Sequence, residues 1–318
     1  MVLALMLVGL IAGVILANQN PVNALLRTFV GSPYRASFIS FSVGVVFIGI
    51  ITLISGATLF PTGAEISGNP AWLWLGGAIA AIYLTSNILL FPKLGAIQTV
   101  ILPILGQVLM GTVIDTFGLF GDHQIPLTAS RVIGVVILLL GMVIAVVLAN
   151  RTKAEAGFAK VLEGTETASS LTAWRVWGVI AGMLSATQQA INGQLGVVVG
   201  SPLKATFISF LISWFVVLLM VLVIDHRPIP TKAEIKGLPW WAWIGGVLGS
   251  LFVLLTVILV PRIGAGLTVT TALIGQIGGS VIVALWGMWR SPKAPVKRLQ
   301  VIGIVVMIIG VLVIKGLI

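Results

Sequence analysis

Gln19 and Asn23 stand four residues apart in a run with almost no charge, and the same pair returns as Gln188 and Asn192. On a helix that spacing puts both amides on one face. A carboxamide carries two donors and an acceptor, so in apolar surroundings it must find partners in the protein or line a wet cavity. A second pair, Gln107 and Gln276, follows a glycine in each case and falls near the middle of its apolar run. Pro103 precedes Gln107 and would free a backbone carbonyl, while Thr270, Thr271, Gly278 and Gly279 loosen the corresponding segment. Asn87 is a further candidate, with Thr256 at the matching position. These groups offer hydrogen bonding to a polar solute, or hydrogen bonding between helices as packing, and the residues alone leave both open. Asp115 is the one acid placed within an apolar run, near its end, and could carry a coupling proton; its counterpart is Ala284.

Catalytic constellations are missing from the sequence. His123 and His226 both fall in loops, and there is no His-Glu-x-x-His run, no glycine-rich phosphate loop and no paired-carboxylate site. With no cysteine there is neither a thiol nucleophile nor a disulfide framework. The sequence therefore reads as a non-enzyme that calls for no metal and no cofactor.

The elements that must position the amides follow from composition. Of 318 residues 58% are hydrophobic and 8% charged, which is outside the soluble range. A helix of about 20 apolar residues crosses a bilayer core. Ten such runs are legible, near 2–26, 35–56, 70–91, 95–117 and 130–149, then 173–195, 204–224, 239–260, 264–287 and 299–318. Strands would leave backbone groups unpaired in lipid, so the runs are helices. The first is not a cleaved leader, because its counterpart, 171–186, lies mid-chain.

The ten runs form two copies. Gly9 to Phe41 returns at Gly178 to Phe210 with 17 of 33 positions identical, 169 residues later and without a gap. The spacing divides the chain into a first five-helix repeat over 1–150, a charged linker over 151–172 and a second repeat over 173–318. Retained in both copies are Gly9-x-x-x-Gly13 and Gly178-x-x-x-Gly182, a spacing that permits close helix approach. Gly31-Ser32-Pro33 and Gly200-Ser201-Pro202 read as helix starts, with serine as the cap and proline in the first turn. Phe91 to Ala96 and Val260 to Ala265 are short proline-and-cation links that predict antiparallel hairpins. Five crossings per copy is an odd number, so the second copy enters the membrane upside down. The expected fold is an all-α membrane protein with ten transmembrane helices in two inverted five-helix repeats.

The net charge of +10 comes from cations scattered through loops, with no basic run interleaved with aromatics, so nucleic acid is not the expected partner. Fourteen of the 18 Lys and Arg residues fall on the side of the linker and four on the other. The positive-inside rule then places the linker in the cytoplasm and both termini outside, in a plasma (inner) membrane.

Together, the Gly-x-x-x-Gly, Gln-x-x-x-Asn and Gly-Ser-Pro signatures in two five-helix halves resemble the drug/metabolite transporter superfamily, specifically its YdcZ branch, also called domain of unknown function 606. The likeness covers both halves outside the linker and is most specific over Gln19 to Phe41 and Gln188 to Phe210. Members occur as single five-helix proteins and as fused two-half proteins, and this chain resembles the fused form. The resemblance implies export of small molecules by alternating access, without naming a substrate. The charges here depart from the pattern of better-known ten-helix relatives, which usually keep both termini in the cytoplasm. The functional expectation is a secondary transporter, monomeric or homodimeric in membrane lipid. Its midplane cavity would be lined by Gln19, Asn23, Gln107, Gln188, Asn192 and Gln276, amides suited to a neutral or zwitterionic solute. The alternative is a lipid-handling or structural membrane protein in which the amides only join helices.

Overall fold

The computed structural model describes residues 2–122, 124–148, 168–291, 293, 295 and 297–314, with side chains described except at 87–88, 91–93, 95–101, 146–148 and 168–170. The linker expected at 151–172 thus lies largely outside the described residues. In order, the helices are α1 Val2–Val30, α2 Pro33–Ile54, a short α3 Gly63–Ser67, α4 Gly76–Phe117 and α5 Ala129–Met142. The second half follows with α6 Ala168–Val198, α7 Pro202–Ile224, α8 Gly245–Ile263, α9 Ala265–Trp286 and α10 Arg298–Ile314. There is no strand among the described residues. By length and composition α1, α2, α7, α8 and α9 can each cross a bilayer, and shorter apolar stretches run over Gly76–Ser86, Leu102–Phe117, Ala129–Ala145 and Arg298–Ile314. Their outer faces expose apolar side chains such as Ile11, Val46, Ile54, Leu219, Val223 and Trp286, as a lipid-facing surface requires.

α4 is too long to be straight. An unbroken helix of 42 residues would hold its ends about 60 Å apart, yet both ends meet the same turn of α6. A Cβ on Gly76 would lie 2.0 Å from the Asn192 side chain, and one on Gly121, just beyond α4, 2.8 Å from Gln194. The segment therefore folds back between Ser86 and Leu102, as the link at Phe91 to Ala96 predicts. In the second half the same fold-back occurs at Gly264, whose φ of 81° ends α8 one residue before α9 begins.

Each hairpin embraces the first helix of the opposite half. Along α1, Gly9 packs on Thr271 and Leu259, Gly13 on Ala272, and Asn23 on Gly245. Along α6, Gly178 packs on Leu102 and Leu90, Gly182 on Pro103, and Asn192 on Gly76. Shifting either set by 169 residues yields the other with the halves exchanged, the signature of a two-fold relation between them. The glycines are needed for this approach: a Cβ on Gly13 or Gly182 would sit 1.9 Å from the carbonyl oxygen of Ala272 or Pro103. α5 and α10 close the bundle through a second glycine seam, with Gly134 on Gly310 and Gly141 on Gly303.

Candidate functional site

Ser32 and Ser201 both take extended backbone angles and accept a hydrogen bond from the amide three residues on, Arg35 and Lys204, with proline in the first helical turn. The Gly-Ser-Pro motif is thus a helix start, and what it positions is the cation. Arg35 donates to both carboxylate oxygens of Glu234, at 2.8 and 2.9 Å. Lys204, its repeat mate, donates to both oxygens of Glu65 at 2.9 and 3.0 Å. Each pair joins one half to the other. Arg35 also donates to the Val30 carbonyl, and Ser32 hydrogen-bonds Asp225. The two clasps lie at opposite ends of the bundle. α8 begins beside Asn23 toward the end of α1 and reaches Gly193 toward the end of α6 through Val260, so it runs from the side of one clasp to the side of the other. Glu65 is held down at about 2, first by the Thr62 amide and then by Lys204; Glu234 is held down at about 2, first by Arg35 and then by the Thr231 amide.

The expected amides are distributed along the bundle, on α1, α4, α6 and α9. Gln19 and Asn23 lie on the seam between α1 and α8, where Gln19 Nε2 donates to the Gly245 carbonyl at 3.1 Å. A Cβ on Gly245 would lie 2.1 Å from Asn23 Oδ1, and one on Gly249 2.3 Å from Gln19 Nε2, so glycine makes room for both. Gln188 and Asn192 are buried on α6, Asn192 against the start of α4 at Gly76. Gln107 is buried midway along the bundle, donating to the Tyr83 hydroxyl at 3.4 Å, and Gln276 is half-buried beside Gly13. Among the described residues no hydrogen bond joins the amides of the two seams. The side chain of Asn87 lies outside the described residues.

Part of the polar capacity of the seams has no partner among the described residues. Asn192 is 0% exposed and neither its Nδ2 nor its Oδ1 has a partner; Asn23 Oδ1 is buried without one. Gln189 adds a third case, 1% exposed, with Nε2 bonded to the Ser185 carbonyl and Oε1 unpartnered. Buried amide groups are ordinarily paired, because leaving one unmade costs about 1–3 kcal/mol. Sequence reasoning missed Gln189, whose counterpart is Asn20, because it pairs unlike residues. By contrast, Thr270 and Thr271 turn their hydroxyls back on the Gly266 and Leu267 carbonyls of their own helix.

Asp115 is fully buried and bound from three sides. It accepts from Arg131 Nη2 at 2.5 Å and from the Gly266 amide at 2.9 Å, while its own carbonyl accepts from Ile125 at 2.7 Å. Asp122 accepts from the Ala265 amide at 2.8 Å. The two acids therefore cap the first amides of α9, which its glycine N-cap leaves open. The only signal for this in the sequence was the acid itself. A shallow apolar groove on the outer side of α2, lined by Ser42, Val43, Val46, Phe47 and Ile50, contains none of the amides.

The family model described as "Putative inner membrane exporter, YdcZ" matches residues 4–144 and again 173–313, once for each half. The chain belongs to the YdcZ family. It is thus a two-half member of the drug/metabolite transporter superfamily, a multi-pass membrane protein of an exporter family rather than an enzyme family. No curated protein matches it. Of the solved structures, 27 chains match; one, described as "Crystal structure of protein", is 14% identical with a TM-score of 0.68, covering 99% of each chain, and shares the fold. For the YdcZ-family chain the two matched segments coincide with the two halves whose contacts exchange.

Proposed function

We propose that the chain is a secondary exporter of a small polar solute, working by alternating access between its two halves. The observation that carries this is the pair of seams at which Asn23 and Asn192, related by the repeat, keep buried hydrogen-bonding atoms without partners. A protein that only packed helices would gain by replacing them with apolar side chains. A transporter needs polar groups that are idle when the seam is closed and available when it opens. The cross-half clasps support the same reading, since opening one end of the bundle requires release of one clasp while the other holds. In this reading the ten apolar runs are ten crossings, the second half is inverted, the central linker is cytoplasmic and both termini are outside. The solute is neutral or zwitterionic. Gln107 and Gln276 at mid-depth, together with Gln188, carry it between the seams, and Asp115 is the candidate for a coupling proton.

Reconstitution into liposomes tests this. Preloaded with one of a panel of metabolites, vesicles holding the protein should exchange at least one of them, and Gln107→Ala with Gln276→Ala should reduce that exchange. No exchange across the panel, with phospholipid bound tightly to the purified protein, would overturn the reading in favour of lipid handling.

A further inference from the structure

We infer that the exported solute is an uncharged, hydroxyl-rich molecule of the polyol or sugar class, received by Asn23 at one seam and by Asn192 with Gln189 at the other. The inference rests on the transporter reading above and narrows its substrate. Charge comes first. The buried ionic side chains are Arg35, Asp115, Arg131 and Lys204, and each is already in an ion pair within the protein. Each of the five described carboxylates is engaged as well: Asp115 with Arg131, Glu65 with Lys204, Glu234 with Arg35, Asp225 with Ser32 and Asp122 with the Ala265 amide. Among the described residues the interior holds no spare countercharge of either sign. A cation, an anion or a zwitterion would enter with a charge that nothing there balances, and that is costly in a dry interior.

The polarity of the idle groups supplies the rest. Three of the buried unpartnered atoms are acceptors, Asn23 Oδ1, Asn192 Oδ1 and Gln189 Oε1, and three are donors, Asn192 Nδ2, Trp74 Nε1 and Arg35 Nε. The complement is a solute that both donates and accepts hydrogen bonds. Hydroxyl groups provide this without charge, each giving one proton while still able to accept. Asn192 and Gln189 are three residues apart on α6 and therefore neighbours on its surface, so adjacent hydroxyls of one solute can reach both. The repeat places the equivalent station, Asn23, at the other end of the bundle, with the Gln19 amide one turn deeper beside the Gly245 carbonyl. A solute released from one seam thus meets an asparagine carboxamide again at the other.

The thermal midpoint of purified protein should rise with xylitol, sorbitol or methyl glucoside at about 10 mM, far below the range in which sugars act by exclusion from the surface. Alanine, betaine, malate and tetraethylammonium should leave it unchanged. Asn192→Leu and Asn23→Leu should each weaken the response, together abolish it and, by removing idle buried amides, each raise the midpoint of the solute-free protein by about 2–4 °C; Gln189→Leu serves where Asn192→Leu fails to fold. A response confined to a charged or zwitterionic probe would overturn the solute class while leaving transport standing. A lowered midpoint in the leucine variants, or no response to any hydroxyl-rich probe, would overturn the inference itself. Liposome exchange of the same probes separates this from failure of the transporter reading, which would abolish exchange of every one.

Discussion

Arg35 holds Glu234 through both terminal nitrogens of its guanidinium, one to each carboxylate oxygen, across 199 residues of sequence and from one half of the protein to the other. The matching clasp, Lys204 on Glu65, uses a single ammonium for both bonds. Two planar groups joined edge to edge by two hydrogen bonds fix an orientation that a point charge does not. The two ends of the bundle are therefore fastened unequally. Arg35→Lys should loosen its end and Lys204→Arg should tighten the other. In a double-mutant cycle on thermal midpoints, Arg35→Ala with Glu234→Ala should cost no more than the worse of the two single changes. Strict additivity would show that the pair contributes no coupling.

Acid should release both clasps together. Glu65 and Glu234 are lowered from 4.5 to about 2 in the folded protein. The unfolded chain thus binds these protons first as pH falls. The stabilisation is fully present above the unfolded value near 4.5 and is lost as pH drops toward about 2. The thermal midpoint should fall over that window, and Glu65→Gln with Glu234→Gln should flatten the fall while lowering the midpoint at neutral pH. An unchanged profile in the double variant would assign the acid sensitivity to other carboxylates.

The glycine seams give a steric prediction. A methyl at Gly13 or Gly182 would press on a backbone carbonyl, which cannot move aside as a side-chain end can. Overpacking of this kind costs about 1–3 kcal/mol, so Gly13→Ala and Gly182→Ala should lower the yield of folded protein and its thermal midpoint. Gly63→Ala, with nothing within 4 Å of the added methyl, should stay within about 0.5 kcal/mol of the parent. Equal loss at all three would mean that the α1 and α6 seams are looser than their contacts imply.

What could be read before the structure was local. Ser32 and Ser201 declare helix starts by their own chemistry, and the links around Pro92 and Pro261 declare reversals, because both depend on a few adjacent residues. The repeat then supplied the division into halves. It could not say that Gln19 meets Gly245, or Asn192 meets Gly76, since those contacts depend on how one half docks on the other. The sequence grouped six amides around one cavity; the packing shows that Gln19 and Asn23 lie on one seam and Gln188 and Asn192 on another. The partner of Arg35 left a faint trace, for Glu65 and Glu234 are acids retained in both halves opposite cations retained in both halves. Arg131 left none, because the repeat puts Gln300 at its counterpart and Ala284 at that of Asp115.

That asymmetry makes the Asp115–Arg131 pair the point where structure and coupling can be told apart. Both groups are buried, and removing one partner of such a pair costs about 3–5 kcal/mol because the remaining charge is stranded. Asp115→Asn keeps an acceptor for the Gly266 amide but strands Arg131, so the midpoint should fall steeply. Removing both charges, as Asp115→Asn with Arg131→Met, should recover a large part of the loss, since an apolar side chain no longer needs a counterion. Transport decides the rest. A carboxyl that only anchors the start of α9 is dispensable once the double variant folds, and exchange together with its dependence on a proton gradient should return with stability. If Asp115 carries the coupling proton, the refolded double variant should still exchange solute but no longer accumulate it against a gradient. Measuring exchange and gradient-driven accumulation on the same vesicles separates the two roles.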